Sequence, residues 1–288
     1  MKGIVLAGGT GSRLWPVTEV VSKQLLPIYD KPLIYYPIST LMLAGVRDIL
    51  IIATPKDLPL FERLLGDGSR FGLSFNFEKQ PEPKGIAEAL IIGETFLSQE
   101  SCLMILGDNI FHGVGLGNQL EREVHEKGAH VYTYTVNNPK DYGVLFVNEF
   151  GEPVAIEEKP NNPQSNLAVT GLYYFDGRAS KFAKSIAPSK RGELEITSVL
   201  NYYLQNKELS HTQLPRGTAW LDTGTHTSMQ DASTYVRIIE ERTGQKMACL
   251  EEIAFTKGWI TTSKYEEIAK SYLPSTYGNY LLSRITPN

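Results

Sequence analysis

Cysteine is nearly absent from this chain: Cys102 and Cys249 are the only two among 288 residues, and they lie far apart in apolar surroundings. That excludes a disulfide framework and a thiolate metal cluster, and it fits a reduced, intracellular protein. The five histidines stand at no spacing that would make them metal ligands with each other or with a cysteine. No apolar stretch approaches the ~20 residues needed to span a bilayer, so no membrane association is expected. The run Met1–Ala7 is far too short for a signal peptide, and the expected location is the cytoplasm. Positive charge is not in excess either. Lys and Arg number 28 against 32 Asp and Glu, a net charge of −4. No basic field recruits nucleic acid, so any anionic ligand must be held by a few local cations.

What is present is ordinary globular material, 42% hydrophobic and 21% charged. Lys2–Ala7, Asp48–Thr54, Ser74–Lys79 and Cys102–Leu106 read as strands, and the first and last are apolar at nearly every position. Such runs suit strands covered on both faces of a parallel sheet. Pro32–Ala44, Leu58–Leu65 and Ile86–Phe96 read as the intervening helices. Further on, Val131–Val136, Val144–Val147, Pro153–Glu158 and Leu167–Phe175 read as strands of an antiparallel extension, with Ala219–Leu221 as a late strand. Helices are expected near Lys181–Ile186, Ile196–Gln205, His226–Thr243 and Lys264–Ser271. The fold class is therefore α/β: a Rossmann-like mixed, mostly parallel sheet flanked by helices, with an antiparallel extension and C-terminal helices. Without repeats or a linker, residues 1–288 are expected to form a single domain. Its core covers about 1–225 and a C-terminal helical subregion about 226–288.

Gly8, Gly9 and Gly11 directly follow the first strand, at the end of the sheet where ligands of such folds gather. Glycines there allow positive φ and bring backbone N–H groups close to phosphate oxygens. Two familiar signatures fail. A G-x-G-x-x-G read from Gly9 needs glycine where Leu14 stands, and no G-x-x-x-x-G-K-[ST] spacing exists. Pro16 and an extended stretch over Trp15–Tyr29 also postpone any helix. By itself the turn is as readily a plain strand-to-helix connection as a phosphate loop. Arg13, and Lys23 ten residues on, favour the phosphate loop, because both cations can converge on one anion.

Asp108 and Asp222 each end a short strand before a turn, and paired carboxylates in that position suit Mg2+, which takes hard oxygen ligands. Each also has a plainer explanation, Asp108 as an Asx-turn residue and Asp222 as a helix cap. Glu158-Lys159-Pro160 closes another strand and suits a carboxylate toward sugar hydroxyls beside a cation toward a monophosphate; a solvated surface pair is the alternative. Arg191 with Glu193 and Glu195 is a further cation or an exposed loop. The Gln80–Gly85 loop carries an amide able to read a base edge, or is only a Pro/Gly turn. Tyr35, Tyr36, Leu41 and Leu43 read as core.

Several of these segments together resemble a known family. They are Leu6-Ala7-Gly8-Gly9-Thr10-Gly11-Ser12-Arg13-Leu14-Trp15-Pro16, Ser22-Lys23-Gln24-Leu25-Leu26-Pro27, Gly107-Asp108-Asn109, Glu157-Glu158-Lys159-Pro160 and Trp220-Leu221-Asp222-Thr223-Gly224-Thr225. In this order they resemble the sugar-1-phosphate nucleotidylyltransferases, most closely those that use dTTP and glucose 1-phosphate. The likeness extends through Arg191–Thr197, Glu251–Ala254 and Tyr277–Tyr280.

The resemblance implies transfer of a thymidylyl group from dTTP to α-D-glucose 1-phosphate, with Mg2+ as cofactor and release of pyrophosphate. It puts Gly8, Gly9, Thr10, Gly11, Arg13, Lys23, Gln24, Gln80, Pro83, Gly85 and Asp108 on the nucleotide. Asn109, Gly143, Glu158, Lys159, Val169 and Arg191 fall on the sugar phosphate, and Asp108 and Asp222 on the metal. Arg13, Lys23 and Lys159 carry the catalytic roles. A homotetramer with a second nucleotide site near the C-terminal helices is typical of the family. The chain departs from it at Ser198, where relatives often carry aspartate, and at Val114 within the variable Phe111–Leu116 stretch. Rival readings are UTP or another hexose 1-phosphate as substrate, a non-catalytic sugar-nucleotide-binding regulatory protein, and an oxidoreductase that the failed dinucleotide fingerprint disfavours.

Overall fold

Lys2–Ala7, apolar at nearly every position, forms β1, an inner strand of a sheet packed on both faces. The structure is a computed structural model and describes residues 1–122 and 127–285. After β1 the chain does not run extended to Tyr29 as the sequence suggests. It winds through 3-10 turns at Ser12–Leu14, Val17–Glu19 and Lys23–Leu25. Backbone bonds close them, such as Leu14 N–H to Gly11 O (2.8 Å) and Leu26 N–H to Lys23 O (3.0 Å). A short ribbon pairs β2 (Pro27–Ile28) with β3 (Lys31–Pro32), and helix α1 spans Tyr35–Leu43.

The chain continues as β4 (Asp48–Ala53), α2 (Leu58–Leu65), β5 (Ser74–Lys79), α3 (Glu88–Ile92), α4 (Glu94–Leu97) and β6 (Cys102–Leu106). Strands β5, β4, β1 and β6 lie side by side, all parallel, with Val5 opposite both Ile51 and Ile105. Val5, Ile51 and Ile105 point to the face covered by Ile38 and Leu41 of α1 and Phe61 of α2. Ile4, Leu50 and Met104 point the other way, onto Ala89 and Leu90 of α3. Each large apolar side chain buried this way contributes roughly 1.5–3 kcal/mol, which explains why β1, β4 and β6 lack the polar alternation that the edge strand β5 shows. The single helix expected over Ile86–Phe96 breaks at Gly93 into α3 and α4. A Cβ there would come within 3.0 Å of Ile4 Cδ1, so glycine lets this pair lie tightly on the sheet.

The second half adds β7 (Asn109–His112), α5 (Leu116–Arg122), β8 (Ala129–Thr135), β9 (Gly143–Val147), β10 (Pro153–Glu158) and β11 (Leu167–Phe175). After them come α6 (Ala179–Ser185), α7 (Ile196–Gln205), β12 (Leu209–Gln213) and β13 (Ala219–Asp222). Strand β11 holds antiparallel β8 along one edge, and β12 runs parallel to β8 beyond it. Its other edge is shared. Leu172–Phe175 pair with β6, whereas Leu167 and Ala168 pair with β9. The switch falls at a register shift between Val169 and Tyr173, where Gly171 takes φ +76°. There the sheet forks and a cleft opens between the end of β6 and the β9–β10 hairpin.

Helix α8 (His226–Thr243) starts on a capping box between Thr225 and Ser228 and stops at Gly244, φ +66°. Three more helices close the chain: α9 (Leu250–Thr256), α10 (Thr262–Ser271) and α11 (Thr276–Ser283). Leu250 and Ala254 of α9 join the core on the α1 face of the sheet, while Tyr265 and Leu281 form a small core of their own. Cys102 and Cys249 are free and buried. Among the described residues, no helix is long and apolar enough to cross a membrane.

Candidate active site

The fork in the sheet opens a cleft of about 500 Å³ at the carboxyl ends of β1 and β6. One wall is the glycine-rich turn, where Gly9 takes φ +97° and Gly11 φ +60°. The Thr18 hydroxyl donates to Gly11 O at 2.7 Å and holds the turn from behind. A Cβ on Gly8 would stand 2.0 Å from Gln80 Oε1, so that position admits no side chain while Gln80 keeps its place. Gly8, Gly9, Thr10, Gly11, Arg13, Gln80, Pro83 and Gly85 all line this wall. Three glycines thus leave much of the turn without side chains, with the Arg13 guanidinium at its exit.

The floor is built from β6, β7 and β13. Strand β13 pairs antiparallel with β7, which sets Asp222 opposite Asn109 and next to Asp108. Thr223 fastens the two segments, its N–H and hydroxyl both donating to Asp108 O at 3.2 and 2.9 Å. Lys23 forms an ion pair with Asp108 Oδ2, and Asn109 Nδ2 donates to Oδ1 at 3.0 Å. Trp220 Nε1 in turn donates to Asn109 Oδ1 at 2.6 Å, which fixes the Asn109 amide. The Arg13 guanidinium rests on Gly224, where an added Cβ would come within 3.2 Å of it and of Asp222 Oδ1. Burial pushes the Asp222 carboxyl above its ordinary range and Asp108 pushes the same way. Lys23, Arg13 and the Gly224 N–H pull it back. Two carboxylates and two cations therefore share one partly dry site. Gln24 also lines it; its side chain is braced by the Ser22 hydroxyl at 2.6 Å, and its carbonyl accepts from Ile34 N–H at 2.9 Å.

The opposite wall belongs to β9, β10, β11 and α7. Around Gly143 converge Thr197 Cγ2, Glu158 Oε2 and Val169 Cβ, at 3.2, 3.5 and 3.9 Å from an ideal Cβ. Burial raises the Glu158 carboxyl above its usual range, with Glu195 adding to the shift. Lys159, Arg191 and the Thr197 hydroxyl oppose it. Lys159 has φ +45°, a left-handed conformation that lysine adopts only at a cost, and its N–H is held by Tyr142 O at 3.0 Å. Such conformations concentrate where a side chain must be aimed.

Of the residues assigned in sequence to the nucleotide, the sugar phosphate or the metal, Arg191 alone does not line the cleft. Its guanidinium is engaged by Glu195 at 2.9 Å, Glu193 at 3.2 Å and Glu158 at 3.5 Å, and it reaches the cleft through Glu158. Conversely, Asp141, Tyr142, Thr170, Tyr173, Thr197 and Trp220 line the cleft without having been identified. Trp220 had a signal, since it precedes Asp222 in the same motif. Thr197 had one too, as the end of the Arg191–Thr197 segment of the resemblance. Tyr173 had none, because an inward-facing strand residue looks like core until the sheet forks beside it. Ser198 lies in the first turn of α7, its N–H on Glu195 O at 3.1 Å, and does not line the cleft.

Known proteins resemble this chain in sequence and in fold. The family model described as nucleotidyl transferase matches residues 2–237. A glucose-1-phosphate thymidylyltransferase of Neisseria meningitidis is 52% identical over 98% of this chain and 98% of its own. A crystal structure from Bacillus anthracis, described as a glucose-1-phosphate thymidylyltransferase in complex with sucrose, superposes with TM-score 0.76 at 40% identity. It covers 82% of this chain and 95% of that one. A UDP-glucose pyrophosphorylase complexed with UDP-glucose superposes with TM-score 0.74 at 25% identity, over 83% of this chain and 98% of that one. On this likeness the chain belongs to the nucleotidyl transferase family, within its glucose-1-phosphate thymidylyltransferase branch.

Proposed function

We propose that the chain transfers a thymidylyl group from dTTP to α-D-glucose 1-phosphate, giving dTDP-glucose and pyrophosphate by direct in-line displacement. The observation that carries this reading is the pairing, in one cleft, of a glycine-rich wall bearing Arg13 with an opposite wall bearing Glu158 and Lys159. Two anions need two cation-bearing walls. A phosphate oxygen of glucose 1-phosphate bonds to the α-phosphorus as the bond to pyrophosphate breaks. That oxygen is already anionic near neutral pH, so no general base is required, and among the described residues no histidine lines the cleft. Catalysis is then positioning plus charge stabilisation. Arg13 stabilises charge on the transferring and leaving phosphates, Lys159 places the attacking one, and Lys23 helps bring the two anions together.

Enzymes of this family generally use a divalent metal, and Asp108 with Asp222 is the fitting donor set for Mg2+. Among the described residues there is no cluster of three or more His, Cys, Asp or Glu that would form an all-protein metal cage. Mg2+ does not need one, since it binds through one or two carboxylates plus substrate phosphates. When bound, the ion supplies positive charge to the phosphates. A cytoplasmic homotetramer in a single-domain fold, rather than a monomer, completes the reading from the family resemblance.

The test is pyrophosphate release with glucose 1-phosphate across dTTP, UTP, CTP, ATP and GTP, with Mg2+ and after chelation. The expected result is Mg2+-dependent turnover that favours dTTP. No release with any nucleotide would support a regulatory protein instead, and a preference for UTP would move the chain to the neighbouring specificity. A nucleotidyl-enzyme trapped with labelled dTTP alone would refute direct displacement.

A further inference from the structure

Gln80 is buried, only 4% exposed, and yet its amide lines the cleft beside Gly8. A glutamine amide can be turned either way, and only its neighbours decide which end is the donor. Here they do. Nε2 lies 2.8 Å from Glu88 Oε2 and 3.5 Å from Gly85 O, both of which can only accept. A flipped amide would set its oxygen against a carboxylate with no hydrogen between them, a buried repulsion with two acceptors unsatisfied. Oε1 therefore faces Gly8 and the cleft. Glu88 itself does not line the cleft.

We infer that Glu88 is a positioning residue for base choice: it locks the Gln80 amide so that an acceptor meets the nucleobase. This rests on the proposal above that the nucleotide occupies the Gln80–Gly85 side. An acceptor in that position matches the ring N–H between the two carbonyls of thymine or uracil. It mismatches cytosine, whose corresponding ring nitrogen is itself an acceptor. The ligand class selected is thus the 2,4-dioxopyrimidine nucleotide, and the lock does not separate dTTP from UTP. The surrounding loop is held independently, because Leu194 N–H donates to Lys84 O at 2.6 Å and Ala87 N–H to Leu194 O at 3.1 Å. Removing Glu88 should therefore free the amide without removing the loop.

The experiment measures kcat/KM for dTTP and dCTP in the wild type, E88Q, E88L and E88K. E88L removes the nearer acceptor and leaves only the Gly85 carbonyl at 3.5 Å, E88K offers only donors, and E88Q keeps one carbonyl oxygen. The dTTP-to-dCTP preference should fall about tenfold in E88L, the value of roughly one hydrogen bond, and at least as far in E88K. E88Q should lie between E88L and the wild type. Turnover that falls in parallel for both nucleotides, with the preference unchanged across the series, gives Glu88 a structural part only and overturns the inference. Failure of the underlying reading looks different: the wild type itself would show no preference for dTTP over dCTP.

Discussion

Lys31 and Glu240, 209 residues apart in sequence, form a buried ion pair with Nζ and Oε1 2.8 Å apart. The same carboxylate accepts from Met247 N–H at 2.9 Å, and its other oxygen takes Lys246 Nζ at 3.1 Å. Asp30 bridges both lysines. The pair clamps the β2–β3 ribbon, which directly follows the turn carrying Lys23 and Gln24, onto α8. Glu240→Leu leaves a fully buried ammonium short of a partner, and unfolding in urea should show a loss of about 3 kcal/mol. Lys31→Met together with Glu240→Leu should cost less than the sum of the single changes, since neither charge is then stranded. Single variants within about 0.5 kcal/mol of the wild type would show that the charges are rehydrated rather than buried.

Arg13 and Asp108 are predicted to act on turnover rather than on folding. Arg13→Ala removes the guanidinium beside Gly224, and Asp108→Asn removes the charge that Lys23 and Asn109 orient. Deleting one such contact typically costs about 10²–10³ in rate. Steady-state pyrophosphate release by the folded variants is the measurement. Near-normal turnover in either would remove that residue from the catalytic assignment.

How much of this was legible beforehand differs between the walls. The four parallel strands and the glycine-rich turn could be read directly. Strands β1, β4 and β6, buried on both faces, leave a nearly unbroken apolar record, and the edge strand β5 shows the polar alternation of Ser-Phe-Asn-Phe-Glu-Lys. The β7–β13 ribbon could not. Asn109–His112 is only four residues long and follows Asp108 without a break, so no periodicity marks it as a strand. Without that ribbon, Asp108 and Asp222 are two isolated carboxylates; with it they are neighbours. Leu209–Gln213 was missed because an edge strand reading Leu-Ser-His-Thr-Gln is polar, and its place is fixed by pairing with β8. The Lys31–Glu240 pair left no trace either, since an Asp-Lys dipeptide between prolines looks solvated.

Glu158 supplies a pH prediction. Its carboxyl is raised above the ordinary range by burial and by Glu195, so it takes up a proton at higher pH than a solvated glutamate does. Protonation removes the ionised acceptor facing the sugar side. KM for glucose 1-phosphate should therefore rise as pH falls, beginning above the usual carboxylate window, while KM for dTTP changes less. In Glu158→Gln that acid limb should flatten, leaving only the substrate's own titration. Lys159→Ala should raise KM for the sugar phosphate chiefly, at all pH values. A Glu158→Gln profile that parallels the wild type would detach this group from sugar binding.

Gly85 allows a sharper test of the nucleotide wall, because space and conformation both forbid a side chain there. It has φ +111°, and an added Cβ would stand 2.4 Å from Leu194 O and 2.6 Å from Leu194 N. Both are backbone atoms, and that same N–H holds Lys84 O, so nothing nearby can turn aside. Gly85→Ala must push the Gln80–Gly85 loop off Leu194, at a strain of roughly 1–3 kcal/mol for the backbone alone. Gly9→Ala is the matched control: it also has positive φ, but nothing lies within 4 Å of its Cβ. If the loop reads the base, Gly85→Ala should raise KM for dTTP about tenfold or more, the loss of at least one base contact. KM for glucose 1-phosphate should stay near its wild-type value, because Glu158 and Lys159 sit on the other wall. Gly9→Ala should weaken the nucleotide less. If Gly85→Ala folds and binds dTTP as the wild type does, the base must be read elsewhere in the cleft.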